Sequence, residues 1–251
     1  MKVFLTGASS GIGEALARCY AARGATLGLL ARRGDLLRSL QSSLPGASET
    51  YACDVRDLPA VKEAAAHFVA RHGVPDLVIG NAGVSYGTLT EREEDAATFR
   101  EVLDINVVGL VNTFHPFIAP MRARRSGRLA GIASVAGFRG LPGASAYSAS
   151  KAAAIRYLEA LRVELHASGV GVTTICPGFI ATPMTAKNPY PMPFILAADD
   201  AARRFARAID AGKSFAVIPW QMAIVGRILT VLPNAIYDRI MAGRARKPRK
   251  D

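Results

Sequence analysis

The sequence contains few of the residues from which metal sites and disulfide frameworks are built. Its 251 residues include three cysteines and four histidines. Cys19, Cys53 and Cys176 are scattered through apolar stretches, and their odd number predicts free, buried thiols in a reducing compartment. The histidines lack the spacing of metal ligands; they are His67, His72, His115 and His166. We therefore expect no metal site.

Long apolar runs are also missing. No uninterrupted apolar stretch reaches about 18 residues, so no membrane-spanning helix is predicted. A first strand that begins at Lys2 leaves no room for a secretory signal peptide. Hydrophobic residues make up 50% of the chain and charged residues 20%, which argues against disorder. These features predict one globular domain spanning residues 1–251, located in the cytoplasm.

Acidic residues are outnumbered. Lys and Arg total 31 against 20 Asp and Glu, for a net charge of +11. Much of the excess lies at 122–128 and in the C-terminal tail, and no aromatic-interleaved basic stripe or recognition module is present. We therefore expect no specific nucleic-acid partner. The positive balance would help to gather a phosphate-rich cofactor.

Strand and helix patterns alternate along the chain. This alternation predicts an α/β fold: a single doubly wound, Rossmann-type domain whose mostly parallel sheet of about seven strands has helices on both faces. The predicted strands are 2–6, 25–31, 49–53, 76–80, 128–134, 170–176 and 214–218. The predicted helices are 11–23, 34–43, 57–72, 95–122, 146–168 and 199–212.

A glycine-rich turn joins the first strand to the first helix, with the spacing Gly-x-x-x-Gly-x-Gly from Gly7 to Gly13. Glycines at such a turn let the backbone approach a pyrophosphate closely, and the helix N-terminus supplies free N–H groups. A tight turn without a ligand is the alternative. The predicted cofactor contacts in this turn are Gly7, Ser9, Ser10, Gly11, Ile12 and Gly13.

The second strand ends in Arg32 and Arg33. An acidic residue there would bind the adenine ribose of NAD, whereas a guanidinium matches the geometry of a 2′-phosphate. We predict NADP(H) in preference to NAD(H), with Arg32 as the principal phosphate contact and Arg33 as a helper. Alternatively, both arginines belong to a solvated loop.

Lys151 lies four positions after Tyr147, and Ser134 lies thirteen positions before the tyrosine. This spacing places the phenol and the amine on one helix face. A nearby ammonium is expected to lower the phenol pKa from about 10, which would suit general acid–base catalysis. A Tyr-x-x-x-Lys pair alone is also common on surface helices.

Taken together, these motifs resemble the short-chain dehydrogenase/reductase family over residues 1 to 185. The matching segments are Thr6 to Gly13, Asn81-Ala82-Gly83, Asn106, Ser134, Tyr147 with Lys151, Pro177-Gly178, and Thr182. Two positions depart from the commonest family pattern. They are Gly80, where many members have asparagine, and Ala133, where many have serine.

The resemblance implies a catalytic set of Asn106, Ser134, Tyr147 and Lys151. It implies hydride transfer with NADP(H) that interconverts a carbonyl compound, a ketone or aldehyde, and an alcohol. Asn106 would orient a water near Lys151, or else make a structural hydrogen bond. A non-enzymatic sensor or scaffold that binds NADP(H) is the alternative function.

The resemblance also implies further cofactor contacts. The segment after the fourth strand would contribute Asn81, Ala82 and Gly83. The nicotinamide end would be held by Tyr147, Lys151, Pro177, Gly178, Ile180 and Thr182. Asp54 and Val55 resemble the pair that contacts adenine, although Asp54 is also a candidate helix N-cap.

The last third of the sequence is less informative. Residues 183–198 correspond to the family's substrate lid, and their apolar side chains slightly favour an apolar substrate. Residues 220–251 form an apolar helical extension, broken at Pro233, and a basic tail. This extension could lie on an anionic membrane, over the substrate cleft or against another subunit. Since the family often forms homodimers or homotetramers, we favour packing over membrane contact.

Overall fold

Parallel strands alternate with helices in a computed structural model that describes residues 1–250. The strands are β1 (Lys2–Thr6), β2 (Thr26–Ala31), β3 (Ser48–Ala52), β4 (Leu77–Gly80), β5 (Gly127–Ile132), β6 (Val170–Pro177), β7 (Ile180–Ala181), β8 (Leu196–Ala197) and β9 (Phe215–Ile218). The helices are α1 (Gly11–Ala21), α2 (Gly34–Ser43), α3 (Leu58–His72), α4 (Asp95–Leu103), α5 (Gly109–Arg124), α6 (Ser145–Glu164), α7 (Ala198–Asp210), α8 (Gln221–Val231) and α9 (Asn234–Met241).

Seven strands form one sheet in the order β3-β2-β1-β4-β5-β6-β9, and every pair is parallel. The predicted doubly wound fold is therefore confirmed. The strand order reverses between β1 and β4. In such a sheet, ligands bind beyond the carboxyl ends of the strands at this reversal.

The central strands β1, β2 and β4 are apolar on both faces because helices cover both sides. In β1, Val3 and Leu5 face one core cluster and Phe4 faces the other. Helices α1, α2 and α7 contribute to the first cluster, and α3, α5 and α6 to the second. On the second face, the ring of Phe4 lies 5.6 Å from that of Phe68 and 4.9 Å from that of Phe117.

The single helix predicted over 95–122 is interrupted. A π-helical turn, Asp104–Val108, separates α4 from α5 and contains Asn106. The stretch Asp95–Arg124 is long and apolar enough to cross a membrane, and its most apolar 18-residue window has a mean hydropathy of 1.4. Charged residues such as Arg100, Glu101 and Asp104 interrupt its apolar run. Half of its most apolar window is buried in the protein, where Phe114 and Phe117 pack in the core.

The other differences are local. β7 and β8 were not predicted; they pair with each other and close the loop 182–195 at its two ends. The helix predicted over 146–168 ends at Glu164 and is followed by a 3₁₀ turn, His166–Ser168. Pro233 separates α8 from α9, as predicted. Only Cys176 is buried, and Cys19 and Cys53 are partly exposed, so the prediction that all three thiols are buried is wrong for two.

Candidate active site

The glycine-rich turn has a backbone that side chains would block. Gly7 and Gly11 have φ values of +68° and +58°, which favour glycine. A Cβ on Gly13 would lie 2.1 Å from the carbonyl oxygen of Gly7. Helix α1 begins at Gly11, and Ser10 makes no side-chain cap. The first N–H groups of α1 are therefore available for an anionic ligand.

Asn81 holds this turn in place from the end of β4. Its Nδ2 donates to the carbonyl oxygens of Thr6 and Gly7, each at 3.1 Å. A Cβ on Gly7 would lie 2.7 Å from the Cα of Ala82, so the turn and the Asn81-Ala82-Gly83 segment are in close contact. The Asn81 side chain thus holds the glycine-rich turn against the end of β4.

The two arginines after β2 lie in different places. Arg33 Nη2 donates to the hydroxyls of Ser10 at 2.6 Å and Ser9 at 3.0 Å, so its guanidinium lies over the glycine-rich turn. Arg32 extends toward Asp54, with 3.9 Å between Arg32 Nη1 and Asp54 Oδ2. Both arginines line the cleft, and Arg33 is the one in contact with the turn.

Asp54 is not a helix N-cap. The cap of α3 is Asp57, whose Oδ1 accepts a hydrogen bond from Ala60 N at 3.1 Å. Asp54 instead accepts hydrogen bonds from the backbone and guanidinium of Arg56, which lower the pKa of its carboxyl. The neighbouring Val55 is buried, and both residues line the cleft.

Ser134, Tyr147 and Lys151 meet in the same cleft. Ser134 follows β5, and its Oγ accepts a hydrogen bond from Ala136 N at 3.1 Å. Tyr147 and Lys151 lie one turn apart on α6, with Lys151 Nζ 5.8 Å from the centre of the phenol ring.

The pKa of Tyr147 is raised, which contradicts the sequence prediction. Burial of the phenol is the main cause and raises its pKa. The hydrogen bond with the Ser134 hydroxyl lowers the pKa by a smaller amount. Lys151 Nζ donates to the carbonyl oxygen of Ile132 at 2.8 Å, and burial lowers the pKa of this amine to about 8. The phenol therefore keeps its proton at neutral pH in this arrangement.

Asn106 makes structural hydrogen bonds from the π-helical turn. Its Oδ1 accepts from Val84 N at 2.8 Å, and its Nδ2 donates to Val84 O at 3.0 Å and Ser150 Oγ at 2.9 Å. A Cβ on Gly83 would lie 3.1 Å from Asn106 Oδ1 and 3.6 Å from Lys151 Nζ. Asn106 thus fixes the loop that leads past Lys151.

The cleft that contains these groups encloses about 720 Å³. Pro177 and Gly178, at and after the end of β6, form part of its wall, together with Ile180 and Thr182. All the predicted site residues line this cleft except two. Those two are Gly13, which packs against Gly7 within the turn, and Asn106, which lies behind Gly83.

Known proteins are similar to this chain in both sequence and fold. A model of the short chain dehydrogenase family matches residues 1–191. An uncharacterized oxidoreductase of Myxococcus xanthus is 39% identical over 237 residues, which cover 93% of each chain.

The chain belongs to the short-chain dehydrogenase/reductase family.

Solved structures of the family agree with this assignment. A short-chain dehydrogenase from Streptomyces avermitilis has a TM-score of 0.81 and 27% identity, and the match covers 95% of this chain and 97% of that one. The closed form of a serine dehydrogenase complexed with NADP⁺ also has a TM-score of 0.81, with 25% identity over 87% of this chain and 94% of that one.

Sequence reasoning missed cleft residues both within and beyond the short-chain dehydrogenase match. Lys187, Asn188 and the C-terminal residues 247–250 also line the cleft. Packing over the cleft was one of three alternatives for the tail, and its charge pattern gave no means of choosing among them. The contacts that bring it there are long-range ion pairs with α4, which no local pattern predicts.

Proposed function

We propose that the protein is an NADP(H)-dependent oxidoreductase that interconverts a carbonyl group and an alcohol, with Tyr147 as general acid and base. The observation that carries this proposal is that Ser134, Tyr147 and Lys151 open into the cleft that begins at the glycine-rich turn. The roles of these residues are those implied by family membership.

The cleft fits a dinucleotide phosphate. Free N–H groups at the start of α1 would bind the pyrophosphate. Arg33 and Arg32 would bind the 2′-phosphate, and Asp54 with Val55 would contact the adenine. Lys151, Pro177, Gly178, Ile180 and Thr182 would hold the nicotinamide end. When bound, the cofactor supplies the hydride.

The protein supplies the proton and stabilises the developing charge. In reduction, the Tyr147 phenol donates its proton to the carbonyl oxygen, and the Ser134 hydroxyl donates a hydrogen bond to the same oxygen. The raised pKa of Tyr147 keeps the proton available at neutral pH. A protonated Lys151 would stabilise the phenolate that remains.

Tyr147→Phe tests this function. With NADPH and a panel of ketones and aldehydes, we expect kcat to fall by roughly 10²- to 10⁴-fold, with NADPH binding retained. Tyr157→Phe is the matched control, because Tyr157 lies on the same helix outside the cleft. Retention of most of the turnover by Tyr147→Phe would remove the proposed proton transfer.

A non-enzymatic NADP(H) sensor or scaffold is the competing function. Such a protein would bind NADPH without oxidising it with any member of a broad carbonyl and alcohol panel. The presence of Ser134, Tyr147 and Lys151 together in one cleft favours the enzyme.

The proposed lid, 183–198, suggests an apolar substrate body. Met184 lines the cleft and is 42% exposed, and Pro183 lies beside it. Long apolar ketones should therefore have a higher kcat/KM than short polar ones. Equal values for the two classes would remove this preference.

We assign the enzyme to the cytoplasm and to a homodimer or homotetramer. The cysteines described within residues 1–250 are free thiols. Helices α8 and α9 expose Ile224, Ile228, Val231 and Ile236, a surface suited to a second subunit. Ultracentrifugation tests the oligomer. Vesicle binding by the full chain but not by a chain ending at Gly243 would support the competing membrane contact.

A further inference from the structure

The C-terminal residues 247–250, here called the strap, line the cleft. Gly87 N donates to the carbonyl oxygen of Pro248 at 2.7 Å. The Arg249 guanidinium binds Asp95 at 2.9 Å and Glu94 at 2.8 Å. Lys250 pairs with a further acid of α4, Glu101. The strap is thus held by its backbone and by three ion pairs.

The fold leaves room for this strap. A Cβ on Gly87 would lie 2.2 Å from the carbonyl oxygen of Lys247, and one on Gly143 would lie 2.8 Å from the Cβ of Arg246. Asp95 is only 6% exposed, and its carboxylate accepts hydrogen bonds from Arg249 and from Leu89 N. Removing the strap would leave this buried charge without its cationic partner.

The strap places Lys247 beside the catalytic phenol. Lys247 Nζ lies 5.8 Å from the centre of the Tyr147 ring and donates to Asn188 Oδ1 at 3.3 Å. The side chain is partly buried. Among the residues that the structure describes, no Asp or Glu oxygen lies within 4.0 Å of this nitrogen.

The charged residues that line the cleft are cations, apart from one acid. Asp54, the one acid among the described cleft-lining residues, is already bound to Arg56. Arg249 and Lys250 are bound to acids of α4, and Lys151 donates to a carbonyl. Lys247 is therefore a cation beside the phenol whose described hydrogen bond is to a neutral amide. A partly desolvated ammonium favours an anionic partner.

We propose that Lys247 determines substrate specificity by binding a carboxylate that the substrate carries within a few bonds of its carbonyl group. The substrate class is then a 2-oxo or 3-oxo acid, or the corresponding hydroxy acid, with an apolar body. This inference rests on the proposed oxidoreductase function, which it makes more specific.

Benzoylformate and its methyl ester provide the test, because they share a ketone and differ in the acid's charge. Acetoacetate and its methyl ester repeat the comparison for a 3-oxo acid. Calorimetry measures binding to the NADP⁺-loaded enzyme, and kcat/KM is measured with NADPH. For at least one pair, the wild type should bind the acid at least tenfold more tightly than the ester.

Lys247→Met removes the charge while keeping much of the side-chain volume. It should lower affinity and kcat/KM for the preferred acid by about 10- to 100-fold, the usual value of a hydrogen bond to a charged group, and change those for the ester by less than threefold. Lys247→Arg should recover part of the loss. Arg246→Met is the matched control, because it removes a neighbouring charge that does not line the cleft. Equal losses for acid and ester, or wild-type binding of neither acid, would overturn the proposal.

Arg249→Ala tests whether the strap positions the Lys247 side chain beside Tyr147. It should reproduce the selective loss for the acid, since the ion pairs to Glu94 and Asp95 are removed while Lys247 remains. If Arg249→Ala or a chain ending at Arg246 instead gained activity toward acid and ester alike, the strap would be an obstruction and the proposal would be wrong.

The experiments distinguish a failure of the Lys247 proposal from a failure of the proposed oxidoreductase function. Turnover of the methyl esters that is lost in Tyr147→Phe supports the oxidoreductase even if Lys247→Met has no selective effect. Turnover that survives Tyr147→Phe contradicts the proposed proton transfer, whereas the calorimetric preference for the acid reports on Lys247 without any chemistry.

Discussion

Lys151 Nζ donates a hydrogen bond to the backbone carbonyl oxygen of Ile132 over 2.8 Å. The lysine on α6 is thereby fixed to the last residue of β5, directly before the segment that carries Ser134. Lys151 is only 5% exposed, and its burial lowers the pKa to about 8. A buried amine whose pKa is near physiological pH is typical of a functional site and destabilises the folded protein.

The first prediction concerns Lys151→Met. In the unfolded chain the amine has a pKa of about 10.5, above the folded value of about 8, so the unfolded state binds more protons between these values and stability rises with pH there. The neutral substitution removes this cost. At pH 7 it should raise the free energy of unfolding by up to about 3 kcal/mol, less the lost hydrogen bond, while lowering activity.

Urea unfolding between pH 7 and 10.5 measures this effect. The difference in stability between Lys151→Met and the wild type should shrink as pH rises through the window. Lys62→Met, at an exposed position on α3, is the matched control for removal of a lysine charge. A constant difference over the window would show that burial of the Lys151 charge is not its source.

Local patterns in the sequence predicted much of this site. The apolar strand at Lys2–Thr6, the glycines and the following helix predict the strand–turn–helix unit that the structure contains, because all three act over a few residues. Side-chain direction was not predictable in the same way. The orientation of Lys151 depends on where β5 ends, and the structural role of Asn106 depends on a π-helical turn and a loop 22 residues earlier. The strap depends on ion pairs across 149 to 155 residues.

The second prediction separates the two arginines. Arg33→Ala should weaken NADPH binding by about 10- to 100-fold because a guanidinium that binds a phosphate contributes about 1.5 to 3 kcal/mol. Arg32→Ala should weaken it too, and NADH binding should change little in either variant. Fluorescence titration with both cofactors measures this. Contact with Ser9 and Ser10 makes Arg33 the larger contributor. The reverse order would instead favour the sequence prediction of Arg32.

The third prediction concerns the close packing of the glycine-rich turn. In Gly13→Ala, the added Cβ would meet the carbonyl oxygen of Gly7 at 2.1 Å, so the backbone must move. We expect a loss of about 2 to 3 kcal/mol of stability together with dinucleotide binding. Gly140→Ala is the control, because no atom lies within 4 Å of its added Cβ. Thermal unfolding with and without NADPH measures both effects. Unchanged ligand stabilisation in Gly13→Ala would show that the turn does not hold the cofactor.

The last prediction uses Asn81→Asp, which keeps the shape of the side chain and removes its donors. The Asn81 amide donates to the carbonyl oxygens of Thr6 and Gly7, so a carboxylate there would face two acceptors. Such a group should have a pKa above its usual value of about 3.9, because its charged form is disfavoured. The unfolded state then binds fewer protons than the folded state above about pH 4, so the variant loses stability as pH rises.

At pH 7 we expect a deficit of about 2 to 4 kcal/mol, reduced near pH 4 where the protonated acid can donate one hydrogen bond. Urea unfolding at the two pH values measures it, with Asn81→Ala as the control that lacks the pH dependence. A deficit of equal size at both pH values would show that the lost donors, rather than the introduced charge, account for the effect.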